Sequence, residues 1–290
     1  MDFTQYWFML PVSMLVATTA MLSGIGGAAL FTPIFIIIFP LLGPEYPLES
    51  TIAVIGTALL TETFGFSSGF VGYYRKRLID FSIAYKFLLV SIPVAIVGAL
   101  TAHMLSDGLL IAGYAGLVFI LAIVLIFFHH SADTAAASVA GTDNRIQKTD
   151  SAGRTYEYVP PRLGPFGVLV TSIGAFLTGL LSVGIGEVIV PQLTKRGVPV
   201  AIAAATSVAV VIVTVAAASF TLIGQLVHAG GFSAVPWNLV CYTIPGVIIG
   251  GQIGPRLQGS VSQQAMERAI GILFIGIAIA MAIVAVKRLG

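Results

Sequence analysis

The chain has 290 residues, of which 57% are hydrophobic and only 9% charged, and its formal net charge is +2. A soluble domain carries roughly 25% charged residues, so this one could not wet its surface. That excludes an ordinary cytoplasmic enzyme, a nucleic-acid binder and a disordered protein, and predicts an all-α polytopic membrane protein whose solvent is the lipid bilayer.

Met1–Gln5 lacks the basic start of a signal peptide, so the first apolar stretch is expected to remain in the mature protein. Apolar segments then run over 6–42, 48–72, 81–103, 109–130, 164–194, 199–228, 236–257 and 264–286. Most are long enough to cross a ~30 Å hydrocarbon core at ~1.5 Å per residue. They are continuous and not alternating, which argues against a membrane barrel. Segments 6–42 and 164–194 are anomalous: each is too long for one span and is interrupted by glycines and then proline. Each reads either as a long helix with a proline kink or as a helix, a break and a short helix returning to the same side. Breaks at membrane depth survive only where protein or water satisfies the freed backbone.

Between 131 and 163 the character changes. Eight charged residues lie there (Asp133, Asp143, Arg145, Lys148, Asp150, Arg154, Glu157, Arg162), and Pro160-Pro161 stops any helix before the next span. The expected organisation is a membrane repeat over 1–130, a solvent-exposed cytoplasmic linker over 131–163, and a second membrane repeat over 164–290. The halves match in order. Leu22–Gly27 resembles Leu181–Glu187, Gly56-Thr57-Ala58 aligns with Ala205-Thr206-Ser207, and Ser91–Gly98 aligns with Thr243–Gly250. If every segment crosses once, 10 basic residues fall on one side and 4 on the other. If 6–42 and 164–194 are hairpins, 12 fall on one side and only Lys287 and Arg288 on the other. The positive-inside tendency therefore favours two inverted repeats, each a Gly/Pro-broken hairpin plus three to four spans, a recurring plan of secondary transporters.

The glycine clusters are the first candidate site, because bare backbone N–H groups at a helix N-terminus attract anions. No Lys or Arg lies within an apolar core, so an anion there would be held by N–H groups and hydroxyls. The candidates are Gly24, Gly26, Gly27, Gly184 and Gly186, with hydroxyls from Ser23, Thr57, Ser182, Thr206 and Ser207. Close helix packing for the glycines, and bonds back to their own helix for the hydroxyls, are the competing readings. Glu62 and Glu187 are the acids well inside apolar segments. A charge there costs about 2.5–3.5 kcal/mol, so each is a candidate for taking and giving a proton. Glu187 is favoured because it adjoins the second break, whereas Glu62 is expected to pair with nearby hydroxyls. His228 and Gln225 read as interfacial, Arg75-Lys76-Arg77 as a topology signal, and Tyr73, Tyr74 and Trp237 as an aromatic belt. With one cysteine, four histidines in no metal-binding spacing and no G-x-S-x-G, neither a metal site, a cofactor nor an enzyme is expected.

The glycine segment followed by Pro33 or Pro191, the Thr57 and Thr206 elements, the later Pro/Gly pair and the duplication about a polar linker together resemble the TauE/SafE family of sulfite and organosulfonate exporters. The resemblance covers nearly the whole chain outside 131–163. The chain departs from the family's usual glycine run at Glu187 and at Ala28-Ala29. The resemblance implies a secondary transporter of the inner membrane that exports sulfite or a small, sulfoacetate-like sulfonate, driven by the proton gradient, and leaves room for a homodimer. A passive anion channel and an uptake transporter for the same class of anion are the alternatives.

Overall fold

A computed structural model describes residues 3–23, 26–127, 145–257 and 263–289; of the side chains at 23, 263–265 and 267 nothing is said. Among the described residues five helices are long and apolar enough to cross a membrane: α4 (Thr51–Arg75), α5 (Phe81–Ala102), α6 (Asp107–Phe127), α9 (Val200–Gly230) and α11, Gln263–Leu289, over its stretch from Arg268. The 21-residue α10 (Trp237–Leu257) carries Pro245 and Pro255 inside it. Side chains at the helix starts satisfy backbone donors that helix geometry leaves free. Ser50 accepts from Ala53 N–H, and Asp80 accepts from the N–H groups of Ser82 and Ile83.

The two anomalous segments are broken hairpins and not kinked rods. In the first, α1 (Met9–Ser23) is followed by a helical return through α2 (Ala28–Pro33), a π turn (Ile34–Ile38) and α3 (Phe39–Leu42). The return ends where α1 began: Tyr6 OH donates to Tyr46 O at 2.7 Å, and the Tyr6 and Phe39 rings stack at 5.2 Å. Proline explains the π turn. Pro33 has no N–H to give Ala29 O, and the freed carbonyl takes the Tyr114 hydroxyl at 2.7 Å. In the second, α7 (Pro165–Leu181) ends at left-handed Ser182 (φ 65°), and α8 (Ile185–Thr194) starts after Gly184 at φ 144°. Arg196 then donates to Arg162 O at 2.9 Å, back at the level where α7 began.

α4 and α9 form the centre, with α10 and α1 packed on one side and α5 and α7 on the other. Glycine sets those distances. A Cβ on Gly246 would stand 2.5 Å from Leu10 O, and one on Gly98 or Gly179 would collide with Phe176 O or Ala95 O. Hydroxyl pairs tie the layers: Thr61 and Thr243 at 2.9 Å join α4 to α10, and Ser91 and Thr214 at 2.7 Å join α5 to α9. α6 and α11 pair at the margin and expose Phe119, Ile120, Ile272 and Ile279, as a lipid-facing surface does.

Contacts define two ends. At the far end Asp107 meets both Thr51 N–H and Arg288, and Gln225 meets His103. At the linker end Lys76 donates to Pro255 O at 2.9 Å. Lys287 and Arg288 belong to the far end; the other 12 of the 14 basic residues lie at or within two turns of the linker end.

The linker corrects an expectation. Residues 131–144 lie outside the described residues, but 145–163 is not simply solvent-exposed. Strands β1 (Ile146–Thr149) and β2 (Thr155–Tyr158) form an antiparallel hairpin with Ile146 opposite Tyr158. Tyr158 is fully buried and donates to Asp80 Oδ2 at 2.6 Å. Lys148 Nζ donates to Ile79 O, and Ser151 N–H to Lys76 O at 3.2 Å. Burial pushes the Asp80 carboxyl up, but hydrogen bonds from Tyr158, Ser82 and Ile83, with nearby Lys148, outweigh it and leave the group below the ordinary aspartate value.

Candidate functional site

The two glycine breaks meet. Gly26 and Gly27 lie between α1 and α2, buried, and Gly26 N–H donates to Glu187 Oε1 at 3.0 Å. The other oxygen of the same carboxyl, Oε2, accepts from Gly184 N–H at 3.1 Å. Glu187 is the third residue of α8, so reaching back to Gly184 is half of a capping box. Its second bond crosses to the other half of the protein. One carboxyl thus bridges the starts of α2 and α8.

Glu62, in mid-α4, is buried and accepts from the N–H groups of Gly27 and Ala28. The expectation that it pairs with hydroxyls is therefore corrected: its partners are backbone donors of the first break. The two acids flank Gly26. A Cβ there would stand 2.9 Å from Glu62 Oε1 and 3.4 Å from Glu187 Oε1. This is why glycine occupies the position. Glu187 retains partial exposure, whereas Glu62 has almost none. Of the N–H groups picked out as anion donors, those of Gly26, Gly27 and Gly184 are thus occupied by the protein's own carboxyls, which answer the partial positive charge of the helix starts.

The other candidates separate. Gly186 is buried in the first turn of α8. Ser182 lies at the second break, and its hydroxyl bonds Thr32 of α2 at 2.8 Å, a second tie between the breaks. Thr57 is buried in α4, and its hydroxyl has no partner among the described residues. Thr206 sits at the linker end, where its hydroxyl accepts Asp80 N–H at 3.0 Å. Ser207, its neighbour, lines a linker-end cavity of about 570 Å³. Thr57 and Thr206 match in sequence but do not share a site. Both stand seven residues into helices that run in opposite directions, so they lie toward opposite ends. The Ser23 side chain and Gly24 are outside the described residues.

Sequence reasoning missed several partners. Thr178 donates to Gly174 O and accepts Ile185 N–H at 2.7 Å, closing the second break. Ser91 and Thr243 were visible only as a repeat match, yet each bonds a hydroxyl on a central helix of the other half. Asp80 before an apolar run is a recognisable helix cap, and the alternation Thr155-Tyr156-Glu157-Tyr158 is a strand signal. Among the described residues, no group of three His, Cys, Asp or Glu could hold a metal ion.

The arrangement combines two helix starts with two acids that occupy their backbone donors. A family model described as "Sulfite exporter TauE/SafE" matches residues 9–281. The chain is similar to the "Probable membrane transporter protein YunE" of Bacillus subtilis (strain 168), with 22% identity over 265 residues, 91% of this chain and 92% of that protein. No solved structure matches.

Proposed function

The chain belongs to the sulfite exporter TauE/SafE family of membrane transporters, and from that premise we propose that it is a proton-coupled secondary transporter exporting a small sulfur oxyanion or organosulfonate across the inner membrane. The observation that carries this reading is Glu187 bonded to Gly26 and Gly184 at once. An ionised carboxyl is an acceptor for both N–H groups. A sulfite or sulfonate head needs the same donors, and two anions cannot share them without strong repulsion. Taking a proton removes the charge of the internal competitor and frees the donors. Losing it restores the competitor and expels the anion. Proton and anion are thereby linked in binding free energy.

Linkage of this sign moves proton and anion together. For one proton and one monovalent sulfonate the cycle is electroneutral, and its direction follows the sum of the two gradients. One pH unit is worth about 1.4 kcal/mol, the same as a tenfold concentration ratio. Export therefore proceeds when the outward anion ratio exceeds the inward proton ratio, so in this reading the anion gradient drives export and an inward proton gradient opposes it, unlike the expectation of proton-driven export.

Inverted repeats supply the alternation between sides. Supporting them, the packing partners exchange when the halves are swapped: α1 with α10 becomes α7 with α5, α10 with α4 becomes α5 with α9, and α4–α9 and α6–α11 map onto themselves. The 12 basic residues at the linker end support a cytoplasmic placement of that end. The test is the full chain in proteoliposomes with a pH dye inside. An imposed sulfite or ethanesulfonate gradient should drive proton movement in the direction of the anion. Anion flux without proton flux would leave a passive channel, and no flux of either would refute the reading.

A further inference from the structure

The linker-end cavity is not used by the coupling just described, although it reaches the last turn of α1 beside the first break. Its volume is about 570 Å³, within the range of roughly 300–1,000 Å³ typical of ligand sites. It extends from the linker hairpin to Ala20, Met21 and Leu22, the last turn of α1 before the first break. Its wall carries two cations, Lys76 at the end of α4 and Arg154 on the turn of the linker hairpin. The one acid among the lining residues, Asp150, offsets one of the two positive charges, with Arg154 beside it, and its oxygens are turned to partners on the linker. Its Oδ1 accepts from Ala152 and Arg154 N–H at 2.8 and 2.9 Å, and its Oδ2 from Tyr156 OH at 3.3 Å.

Two further features point inward to a ligand. Val200, Ala201 and Ala204 of the first turns of α9 line the cavity, and this 31-residue helix starts at Pro199 with no side-chain cap. Its start therefore presents partial positive charge to the space. One turn deeper is Ser207, only 3% exposed, on the cavity wall, and with no hydrogen-bond partner among the described residues. Its hydroxyl lines the cavity and is open to an oxygen of a ligand there.

We propose that this cavity is a second anion site, a vestibule in which Arg154, Lys76, the start of α9 and the Ser207 hydroxyl hold the charged head of a small sulfonate or sulfite before it reaches the breaks. The assignment rests on the transport reading for its cargo, but its test does not. Arg154 makes the linker part of the binding machinery. Its backbone N–H serves the Asp150 turn whatever the side chain, and its guanidinium, which also stabilises the Asp150 charge, lies on the wall where a ligand can share it.

The test uses the full chain with Cys241→Ser, to remove the exposed native thiol, and Ala204→Cys as reporter. Labelling rates are compared for sulfonatoethyl and trimethylammonioethyl methanethiosulfonate, each normalised to a free small thiol, with the neutral methyl reagent as a control for access. The anionic reagent should react about tenfold faster than the cationic one, as in a focused positive cleft, and ethanesulfonate should protect. Arg154→Gln should lose most of that preference, and Arg154→Lys should keep it. Equal rates for the two charged reagents, or no protection, overturn the site even if transport is intact. Selective, protected labelling in a protein that carries no sulfite or sulfonate across a bilayer would overturn the transport reading and leave the site standing.

Discussion

Replacing Glu187 by glutamine isolates the coupling step. In the wild type its carboxyl accepts from Gly26 N–H at 3.0 Å and Gly184 N–H at 3.1 Å. Hydrogen bonds to a charged group contribute about 1.5–3 kcal/mol each, and neutral ones about 0.5–1.5. Glutamine brings a single acceptor oxygen, so it serves one of the two donors and leaves the other unsatisfied at a cost of about 1–3 kcal/mol. The anion-free state thus loses roughly 2–4 kcal/mol of capping. A bound anion restores acceptors to both N–H groups, so binding recovers much of that loss. With 1.4 kcal/mol per factor of ten, the variant should bind ethanesulfonate at least about tenfold more tightly than the wild type at alkaline pH. The affinities should converge on acidification, where the wild-type carboxyl is neutral too. Calorimetry on detergent-solubilised protein measures this, and ethanesulfonate is chosen because it stays ionised throughout, so only the protein titrates. The wild type should show pH-dependent affinity and Glu187→Gln a flat profile. An unchanged profile in Glu187→Gln together with a flat one in Glu62→Gln would identify Glu62 as the coupling acid. Unchanged profiles in both would refute coupling through these carboxyls.

Gly26→Ala places a Cβ 2.9 Å from Glu62 Oε1; the obstacle is a side-chain tip, so transport should fall sharply while melting temperature and size-exclusion profile change little, and Gly26→Leu should abolish transport. Gly179→Ala meets the Ala95 backbone carbonyl and should instead lower yield and melting temperature, because α5 and α7 must separate. Tyr158→Phe removes the 2.6 Å bond to Asp80 and should destabilise the docked hairpin by about 1.5–3 kcal/mol at neutral pH, read as faster proteolysis within 145–158. Asp80 lies below its ordinary value when folded, so its contribution is present above the unfolded pKa of about 3.9 and lost as pH falls through the lower folded value; Asp80→Asn should flatten that acid dependence.

Composition alone determined the solvent. With so few charges, these residues can be stable only where the backbone bonds to itself in helices and the surface meets lipid. The glycine and proline interruptions were legible because such residues are costly in a helix and tolerable at membrane depth only inside protein. Which element lay opposite which was not legible. Glu187 caps its own helix by a local rule, but its bond to Gly26 spans 161 positions and exists only because two hairpins meet. Glu62 has no sequence signal for its partners, since α4 reaches Gly27 and Ala28 only in three dimensions. Thr57 and Thr206 show the converse: a true sequence match placed them together, and opposed helix directions carried them toward opposite ends. The buried Tyr158 escaped because polar composition marks a segment as able to face water, not as obliged to. Local chemistry wrote the breaks and the spans, while the close approach permitted by Gly98, Gly179 and Gly246 decided which carboxyl would stand at which helix start.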